Sequence, residues 1–382
     1  MEAREYLGNL VYTRKEVDDW IAGRASPWKG YTRYDGELGW LFRSGRFKDG
    51  VDGSTSTYNF DDLGPRKMIS HLDMPCRINT YGDSFTECHQ VSDGETWQEV
   101  LSAHLCEPIR NYGVGGYSVY QAYLRMLREE VNTPAEYIIF NIYDDDHYRN
   151  LNGLCKPSRP YVKVNPSTGE FVECKNPYPT PDSLYGQCDV DQVYETFKDD
   201  FALKIRPVLD RPHRDGEPPQ KDLEDGIGDI VDLASKHGIE GKITSGEELV
   251  KTASLLYDRA AIFSSMQIVK KVEEFAADSG KSVLYVLSFR SGSIARRVNE
   301  GYRFDQDFVD FLEGRGLPYV DLMEAHLAEF SKFNTSIEDY LQRYYIGHYT
   351  PLGNFFQAFA IKDKLVEMLE PKPVAYQDNE ES

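Results

Sequence analysis

Long hydrophobic runs are absent from this 382-residue sequence. No segment reaches the roughly 18 uninterrupted apolar residues that a membrane-spanning helix needs. The first twenty residues, "MEAREYLGNLVYTRKEVDDW", contain several acids and lack the apolar core of a secretory signal. These absences predict a cytoplasmic protein.

Basic residues are outnumbered, and this limits the partners that the protein can bind. The chain has 43 lysines and arginines against 63 aspartates and glutamates, a formal net charge of −20 at pH 7. Nucleic acids and anionic membranes are themselves negative and would be repelled. The sequence therefore predicts neither nucleic acid nor membrane as a partner and favours a small-molecule ligand. It does not indicate an oligomeric state.

Paired cysteines are missing as well. The six cysteines have no CxxC spacing and are scattered along the chain, at Cys76, Cys88, Cys106, Cys155, Cys174 and Cys188. Zinc sites and disulfide frameworks are recognised by closely spaced cysteines. We therefore expect reduced thiols, no bound metal and no cofactor.

From about residue 76 the chain alternates between short apolar runs and stretches of helical length. The apolar runs cover residues 77–82, 109–113, 136–143 and 281–289. The helical stretches lie between them, at 96–106, 118–131 and about 246–278. Buried strands separated by helices are typical of a parallel sheet covered on both faces. The sequence therefore predicts an α/β protein with a three-layer α/β/α arrangement.

Two regions depart from this alternation. Residues 1–70 are rich in aromatics, glycine and aspartate and show little periodicity, which predicts an extended N-terminal arm. An insertion is predicted at about 150–250, where a β-hairpin at 161–176 and a helix precede a proline-containing loop expected to be mobile. The α/β/α domain is accordingly assigned to residues 71–370, and residues 371–382 form an acidic tail.

Polar turns follow the predicted strands at their carboxyl ends, where open parallel sheets bind ligands. The first turn is Gly-Asp-Ser at residues 82–84, the second spans 113–116 and the third 143–146. A histidine, His348, lies shortly before the last helix. A serine hydroxyl becomes a nucleophile when a neighbouring base removes its proton, and histidine titrates near neutrality. Ser84 and His348 are therefore candidates for such a pair, with a helix N-cap and a structural histidine as the alternatives.

In this order the blocks resemble those of the SGNH, or GDSL, hydrolase superfamily, over about residues 30–150 and 280–365. "GDSF" is similar to the nucleophile block, "NYGVGGYS" to the block whose last glycine serves the oxyanion hole, and "GHYTPLGN" to the block with the catalytic histidine. The resemblance implies a flavodoxin-like sheet, Ser84 as nucleophile and His348 as general base. It also implies an oxyanion hole made by the backbone N–H groups of Ser84 and Gly116.

The third block departs from the family's pattern. Where members carry Gly-x-Asn-Asp, with the asparagine donating to the oxyanion, this sequence has Tyr143, Asp145 and Asp146. An ionised Asp145 would repel the developing charge by about 4 kcal/mol at a separation of about 4 Å and an effective dielectric constant near 20. The roles of Asp144 and Asp145 stay open between a protonated carboxyl, a hydrogen-bonded acidic turn paired with Arg149, and a Mg²⁺ or Ca²⁺ site. Of these we favour the acidic turn.

The last block lacks the family's orienting aspartate, because Asp-x-x-His is replaced by "YIGH" at residues 345–348. A Ser–His dyad whose imidazole is held by a backbone carbonyl is one solution. A carboxylate supplied from elsewhere, by Asp321, Asp144 or Asp145, is another.

Two further residues are candidates for substrate contact. Arg290 directly follows the predicted strand at 281–289, so its guanidinium could hold an anionic or polar group of a substrate. Tyr345 could line a cleft for a sugar or an aryl group. A solvated loop and a half-buried ring are the plainer interpretations of these residues.

The sequence thus predicts a serine esterase or deacylase that hydrolyses an O-acyl ester of a carbohydrate or another small polar molecule. Three alternatives remain. The first is an acyltransferase on the same scaffold, and the second is a ligand-binding protein of the same fold with little or no catalysis. The third is a different chemistry in which Asp145 acts as acid, base or metal ligand.

Overall fold

The computed structural model describes residues 3–8, 10–24, 31–61, 64–210, 220–239, 243 and 245–377. The predicted proline-containing loop, at residues 211–219, and the end of the acidic tail, at 378–382, lie outside these ranges.

The regular elements within these ranges are numbered in chain order. The strands are β1 (Thr32–Asp35), β2 (Gly39–Phe42), β3 (Gly45–Phe47), β4 (Ser56–Tyr58), β5 (Ile78–Tyr81), β6 (Ile109–Asn111), β7 (Tyr137–Tyr143), β8 (Tyr161–Asn165), β9 (Glu170–Cys174), β10 (Ser282–Ser288) and β11 (Tyr319–Asp321). The helices are α1 (Ala3–Gly8), α2 (Arg14–Ile21), α3 (Ser84–Glu87), α4 (Trp97–Leu105), α5 (Val119–Asn132), α6 (Asp146–Arg149), α7 (Pro181–Leu184), α8 (Val190–Phe197), α9 (Phe201–Leu209), α10 (Gln220–Lys236), α11 (Gly246–Ser279), α12 (Ser291–Glu300), α13 (Gln306–Gly314), α14 (Leu322–Phe330), α15 (Ile337–Tyr344) and α16 (Pro351–Met368).

A five-stranded parallel sheet carries the fold. Its strands lie in the order β11-β10-β7-β5-β6, and every neighbouring pair is parallel. Numbered by their position along the chain, these strands have the order 2-1-3-4-5, which is the flavodoxin-like order. The predicted α/β class and flavodoxin-like sheet are therefore confirmed. The strand order reverses between β5 and β7, so the crevice at their carboxyl ends is where ligands bind in such sheets.

The connections distribute the helices over both faces of the sheet. The crossover from β5 to β6 runs in one direction along the sheet, and the crossovers that follow run in the other. Because parallel crossovers are right-handed, α4 lies on one face and α5 on the opposite one. The last helix, α16, packs against α4 and so completes the first layer. This is the three-layer arrangement predicted from the sequence.

The chain divides into two compact units. The sheet unit comprises residues 42–146 and 268–382, and the insert unit comprises residues 1–41 and 147–267. The predicted arm of residues 1–70 is therefore split between the units, and the predicted insertion at about 150–250 extends to 147–267. In the insert unit α1 packs against α8 and α9, and β8 pairs with β9 as the predicted hairpin. The short helices α1 and α2 are six and eight residues long, which is too little chain for a clear helical period.

The turn that follows β5 is packed tightly against the turn that follows β6. Gly113 lies so close to α3 that a Cβ there would be 2.1 Å from the backbone nitrogen of Glu87 and 2.5 Å from the carbonyl carbon of Thr86. The neighbouring Val114 N–H donates to the carbonyl of Gly82 at 3.2 Å. Glycine is therefore required at position 113 by close approach of two backbone segments. Among the described helices, none is both long and apolar enough to cross a bilayer.

We predict that Gly113→Ala lowers the free energy of unfolding by about 1–3 kcal/mol, because the added methyl group must displace backbone rather than a flexible side chain. The matched control is Gly314→Ala in α13, where an added Cβ meets nothing within 4 Å. That substitution should be neutral or stabilise the protein by up to about 1 kcal/mol, since alanine is the better helix former. Urea denaturation of both variants checks the pair, and equal stability of Gly113→Ala and the parent would contradict the packing argument.

Candidate active site

Ser84 begins α3 directly after the Gly82–Asp83 turn. Gly82 has a φ of +156°, and a Cβ there would lie 2.2 Å from Thr86 Oγ1 and 2.7 Å from the carbonyl oxygen of Asn141. Only glycine fits this turn. The N-cap of α3 is Asp83, whose carboxylate accepts the N–H of Phe85 at 2.9 Å. The capping role that was the alternative for Ser84 thus belongs to its neighbour.

The structure brings Ser84 and His348 together. The distance between Ser84 Oγ and His348 Nε2 is 2.8 Å, although the two residues are 264 positions apart in the chain. Ser84 is nearly buried, with 8% of its surface exposed. Its hydroxyl also lies 3.2 Å from Asp83 Oδ2. The geometry fits proton transfer from the serine hydroxyl to the imidazole.

A tight loop between α15 and α16 holds His348. The loop is closed by a hydrogen bond from the Thr350 N–H to the carbonyl of Tyr344 at 2.8 Å and by a bridge between Tyr345 and Tyr349. Thr350 then caps α16, its hydroxyl accepting the N–H of Gly353 at 3.1 Å. The helix begins at Pro351, a residue suited to the first helical position. His348 is therefore fixed at both ends by backbone structure.

Phe85 connects the serine turn with the histidine loop. Its ring stacks on Tyr143 at a centroid distance of 4.4 Å, and it lies 5.2 Å from the imidazole of His348 and 5.2 Å from Tyr349. Since Phe85 is 3% exposed, the contacts exclude water from one side of the Ser84–His348 pair. The packing thus restricts the orientation of the imidazole.

A buried polar network lies beneath the histidine loop. His326 is fully buried, and its ring nitrogens lie 3.0 Å from the hydroxyl of Tyr340 and 3.2 Å from those of Tyr345 and Tyr349. The hydroxyl of Tyr345 also lies 3.1 Å from the carbonyl oxygen of Phe289. Burial raises the pKa of Tyr345 far above its usual value and lowers that of His326 to about 3, so both groups are neutral at pH 7. Tyr345 was one candidate for substrate contact, with a half-buried ring as the alternative, and the structure places its hydroxyl inside this network.

Arg290 holds the acidic third block. Its Nε lies 3.2 Å from both carboxylate oxygens of Asp144, and its Nη2 lies 3.3 Å from Asp145 Oδ1. The hydroxyl of Ser293 also donates to Asp144, at 2.6 Å. Burial raises the pKa of Asp144, and the guanidinium beside it offsets part of that rise. The guanidinium of Arg290 thus contacts both acids at this edge of the sheet, and the pairing expected for Arg149 stays a prediction.

The third acid of the block has a structural contact of its own. Asp146 Oδ2 accepts the backbone N–H of Tyr143 at 3.2 Å, as a turn-capping carboxylate does. Asn141, one residue pair earlier on β7, is buried and donates to Thr86 Oγ1 at 3.0 Å. In the described part of the chain, no group of three or more His, Cys, Asp or Glu side chains is arranged to bind a metal ion. The geometry favours the hydrogen-bonded acidic turn.

Gly116 lies in the loop that follows β6. The loop runs beside the Ser84 turn, because the Val114 N–H donates to the carbonyl of Gly82. Gly116 has a φ of +79°, in the left-handed region that favours glycine, and the N–H of Tyr117 closes the turn onto the carbonyl of Val114. The second block therefore adjoins the first, as the order of the blocks along the sheet edge predicts.

The carboxylates considered as orienting groups for His348 are engaged elsewhere. Asp321 caps α14 and forms an ion pair with Arg303. Gln90 lies beside the imidazole: its Oε1 is 3.3 Å from His348 Nδ1 and accepts the backbone N–H of His348 at 2.8 Å. Sequence reasoning missed Gln90 because an amide is not the group expected at this position. Its proximity in sequence to the first block was the one available signal.

A second imidazole adjoins the pair. The ring of His89 meets that of His348 edge-on at a centroid distance of 5.0 Å and stacks on Tyr58 at 5.6 Å. The carboxylates of Asp49 and Glu87 lie 3.6 Å and 3.8 Å from its ring nitrogens. His89 was also not identified from the sequence, since nothing in its spacing separates it from a core histidine.

No protein-family profile and no curated protein sequence matches the chain. Solved structures to which it is similar include a member of the lipolytic G-D-S-L family from Veillonella parvula DSM 2008, at 13% identity and a TM-score of 0.35, covering 76% of this chain and 98% of that one. A protein of the G-D-S-L family from Desulfitobacterium hafniense DCB-2 has 10% identity and a TM-score of 0.36, covering 75% and 98%. An acetyl xylan esterase, Est2A, from the rumen bacterium Butyrivibrio proteoclasticus has 10% identity and a TM-score of 0.29, covering 83% and 66%. The fold assignment rests on strand order and parallel register, and the site on the distances given above.

Because His326 is buried as a neutral imidazole, we predict that acid destabilises the protein. Free imidazole has a pKa of 6.5 and that of His326 is about 3, so between these values the unfolded state binds a proton that the folded state does not. This contribution to stability is complete above about pH 6.5 and is lost as the pH falls towards 3. Between pH 7 and pH 4 the loss is about 3 kcal/mol.

The measurement is urea denaturation of the parent and of His326→Gln at pH 7 and pH 4. Glutamine keeps hydrogen-bonding capacity without titrating. The free energy of unfolding of His326→Gln should therefore fall by about 3 kcal/mol less than that of the parent between pH 7 and pH 4. The control is His71→Gln, at a half-exposed histidine, which should keep the parent's dependence on pH. If the free energy of unfolding of His326→Gln falls as much between pH 7 and pH 4 as that of the parent, the lowered pKa of His326 is contradicted.

Proposed function

We propose that this protein is a serine esterase or deacylase, in which Ser84 attacks the carbonyl carbon of an O-acyl ester. The observation that carries the proposal is the 2.8 Å contact between Ser84 Oγ and His348 Nε2 at the carboxyl edge of the sheet. That edge, beside the point where the strand order reverses, is where flavodoxin-like sheets bind their ligands. Fold alone does not define a reaction, so the proposal is made from the site.

In the first half of the reaction, His348 Nε2 takes the proton of Ser84 Oγ as the new C–O bond forms. The backbone N–H groups of Ser84 and Gly116 donate to the oxyanion of the tetrahedral intermediate. When this intermediate collapses, the bond to the leaving alcohol breaks and the imidazolium gives its proton to the alcohol oxygen. The acyl group is then bonded to Ser84.

In the second half, His348 removes a proton from water, which attacks the acyl-enzyme carbonyl. The ester bond to Ser84 breaks, the imidazolium returns its proton to Oγ, and a carboxylic acid leaves. The net reaction consumes one ester and one water and forms one acid and one alcohol. Replacing water by an acceptor alcohol in this step would make the protein an acyltransferase, the alternative on the same site.

The proposed substrate is an O-acyl ester on a carbohydrate or another small polar molecule. The net charge of −20 supports a neutral or cationic rather than a polyanionic substrate. Arg290 was considered for an anionic or polar group of the substrate, and its pairing with Asp144 and Asp145 makes that role secondary in the proposal.

We predict that a fluorophosphonate probe labels Ser84, as mapped by mass spectrometry, and that the protein hydrolyses short-chain aryl esters and acetylated sugars. Ser84→Ala should abolish both activities, and His348→Ala should slow labelling by about 10²–10⁴-fold because the general base is lost. The matched control is Ser102→Ala in α4. That serine is buried, and its hydroxyl makes no hydrogen bond to any described residue, so labelling should be unchanged.

The outcomes separate the proposal from its alternatives. Hydrolysis that survives Ser84→Ala would overturn it. Labelling of Ser84 with turnover that appears only after an acceptor alcohol is added would indicate an acyltransferase. Absence of labelling and turnover across the ester panel would indicate a binding protein.

A further inference from the structure

Gln90 is held in place from three sides. Its backbone N–H donates to the hydroxyl of Tyr58 at 2.6 Å, and its side-chain Nε2 donates to the backbone carbonyl of Asp49 at 3.1 Å. Its Oε1 accepts the backbone N–H of His348 at 2.8 Å. The residue has a φ of +73°, in the left-handed region that side chains other than glycine rarely adopt. A residue in that conformation persists only where its surroundings determine it, and here three hydrogen bonds do so.

The orientation of the amide follows from the chemistry of its partners. The carbonyl oxygen of Asp49 can only accept a hydrogen bond, so it must face the NH₂ group of Gln90. The backbone N–H of His348 can only donate, so it must face Oε1. The amide cannot be reversed without losing both hydrogen bonds.

The tautomer of His348 follows in turn. Nδ1 of the imidazole lies 3.3 Å from the same Oε1, which has no hydrogen to give. A neutral imidazole therefore has its proton on Nδ1 and a lone pair on Nε2. That lone pair faces Ser84 Oγ at 2.8 Å, as a general base requires.

We propose that Gln90 is the positioning residue of this site: an uncharged amide that fixes His348 in the Nδ1–H tautomer, where serine hydrolases usually have a carboxylate. The assignment rests on the proposed roles of Ser84 and His348. Gln90 orients the base as a carboxylate would. It does not contribute the negative charge that stabilises an imidazolium.

Gly347 supports the assignment. Its φ is +116°, and a Cβ at this position would lie 3.0 Å from Gln90 Oε1. The glycine therefore lets the histidine loop approach the amide closely enough for Oε1 to meet both the backbone N–H and Nδ1 of His348. The two residues are complementary parts of one contact.

Several other titratable groups surround the imidazole and will affect its response to pH. Asp83 Oδ2 lies 3.2 Å from Ser84 Oγ, and the ring of His89 meets that of His348 at 5.0 Å. Behind His89 lie the carboxylates of Asp49 and Glu87. Tyr345 and Tyr349 lie on the loop side and are neutral because burial raises their pKa values. A change confined to position 90 must therefore be compared with a control in the same background.

The first test reads the tautomer directly. The protein is prepared with ¹⁵N-labelled imidazole rings, and the signal lost in His348→Asn identifies this residue among the eight histidines. Above pH 8, the expected spectrum is that of the Nδ1–H tautomer, with a non-protonated Nε2. In Gln90→Met, which keeps the side-chain length and loses the acceptor, the pure tautomer should give way to a mixture. A parent spectrum of the Nε2–H tautomer would overturn the proposal.

The second test reads function. Gln90→Met should slow fluorophosphonate labelling of Ser84 by about 10–100-fold, because a misoriented base transfers the proton poorly. Gln90→Glu should retain the Nδ1–H tautomer and move the acid limb of the pH–rate profile upward by about 1–3 pH units, since a carboxylate favours the charged imidazole. The control, Gln357→Met, removes a buried amide of α16 that makes no side-chain hydrogen bond to a described residue and should leave both readouts unchanged.

The outcomes distinguish this proposal from the proposed function. If labelling of Ser84 survives His348→Ala, His348 is not the general base, and the proposed function is contradicted. Labelling that depends on His348 and is as fast in Gln90→Met as in the parent overturns the role of Gln90 alone. Melting temperatures of each variant show whether a slow rate reflects unfolding. If Gln90→Met does not fold, the pH profile of Gln90→Glu decides, and an unmoved acid limb overturns the proposal.

Discussion

The hydrogen bond between Ser84 and His348 depends on two turns that lie far apart in the chain. One turn is the glycine-dependent exit of β5, where Gly82 allows the chain to pass Thr86 and the β7 backbone without a clash. The other is the closed loop between α15 and α16, whose last residue caps the following helix. The sheet brings them together, because β5 lies between β7 and β6 and the chain after β11 returns to the face on which α4 lies.

The buried network beneath the histidine loop is polar and uncharged. A buried imidazole would be costly if it were protonated, so His326 stays neutral and exchanges hydrogen bonds with three tyrosine hydroxyls. Such a network is directional, and directional contacts define one loop conformation better than apolar packing does. In this network the tyrosine rings fill space and their hydroxyls satisfy a buried histidine.

Charge is distributed unevenly around the site. The acidic third block forms ion pairs with Arg290: Asp144 is buried against the guanidinium, and Asp145 lies at its exposed end. The imidazole of His348 is oriented by an amide rather than by one of these acids. An ordinary triad places a carboxylate behind the base, which both orients it and stabilises its charged form. In the mechanism proposed here, the amide of Gln90 supplies the orientation and carries no charge of its own.

The sequence by itself determined the α/β class, the parallel sheet and the blocks at its edge. These follow from local signals: apolar runs of strand length, helical spacing between them, and glycine where two backbones approach closely. The short helices α1 and α2 were not predicted, because a period of 3.6 residues is hardly visible in six or eight residues. Only the tertiary structure decided that Arg290 pairs with Asp144, that Tyr345 faces inward, and that Gln90 meets the imidazole. Each of these contacts joins segments more than 50 residues apart, and the sequence pattern carries no information about which distant side chain will fill a given position.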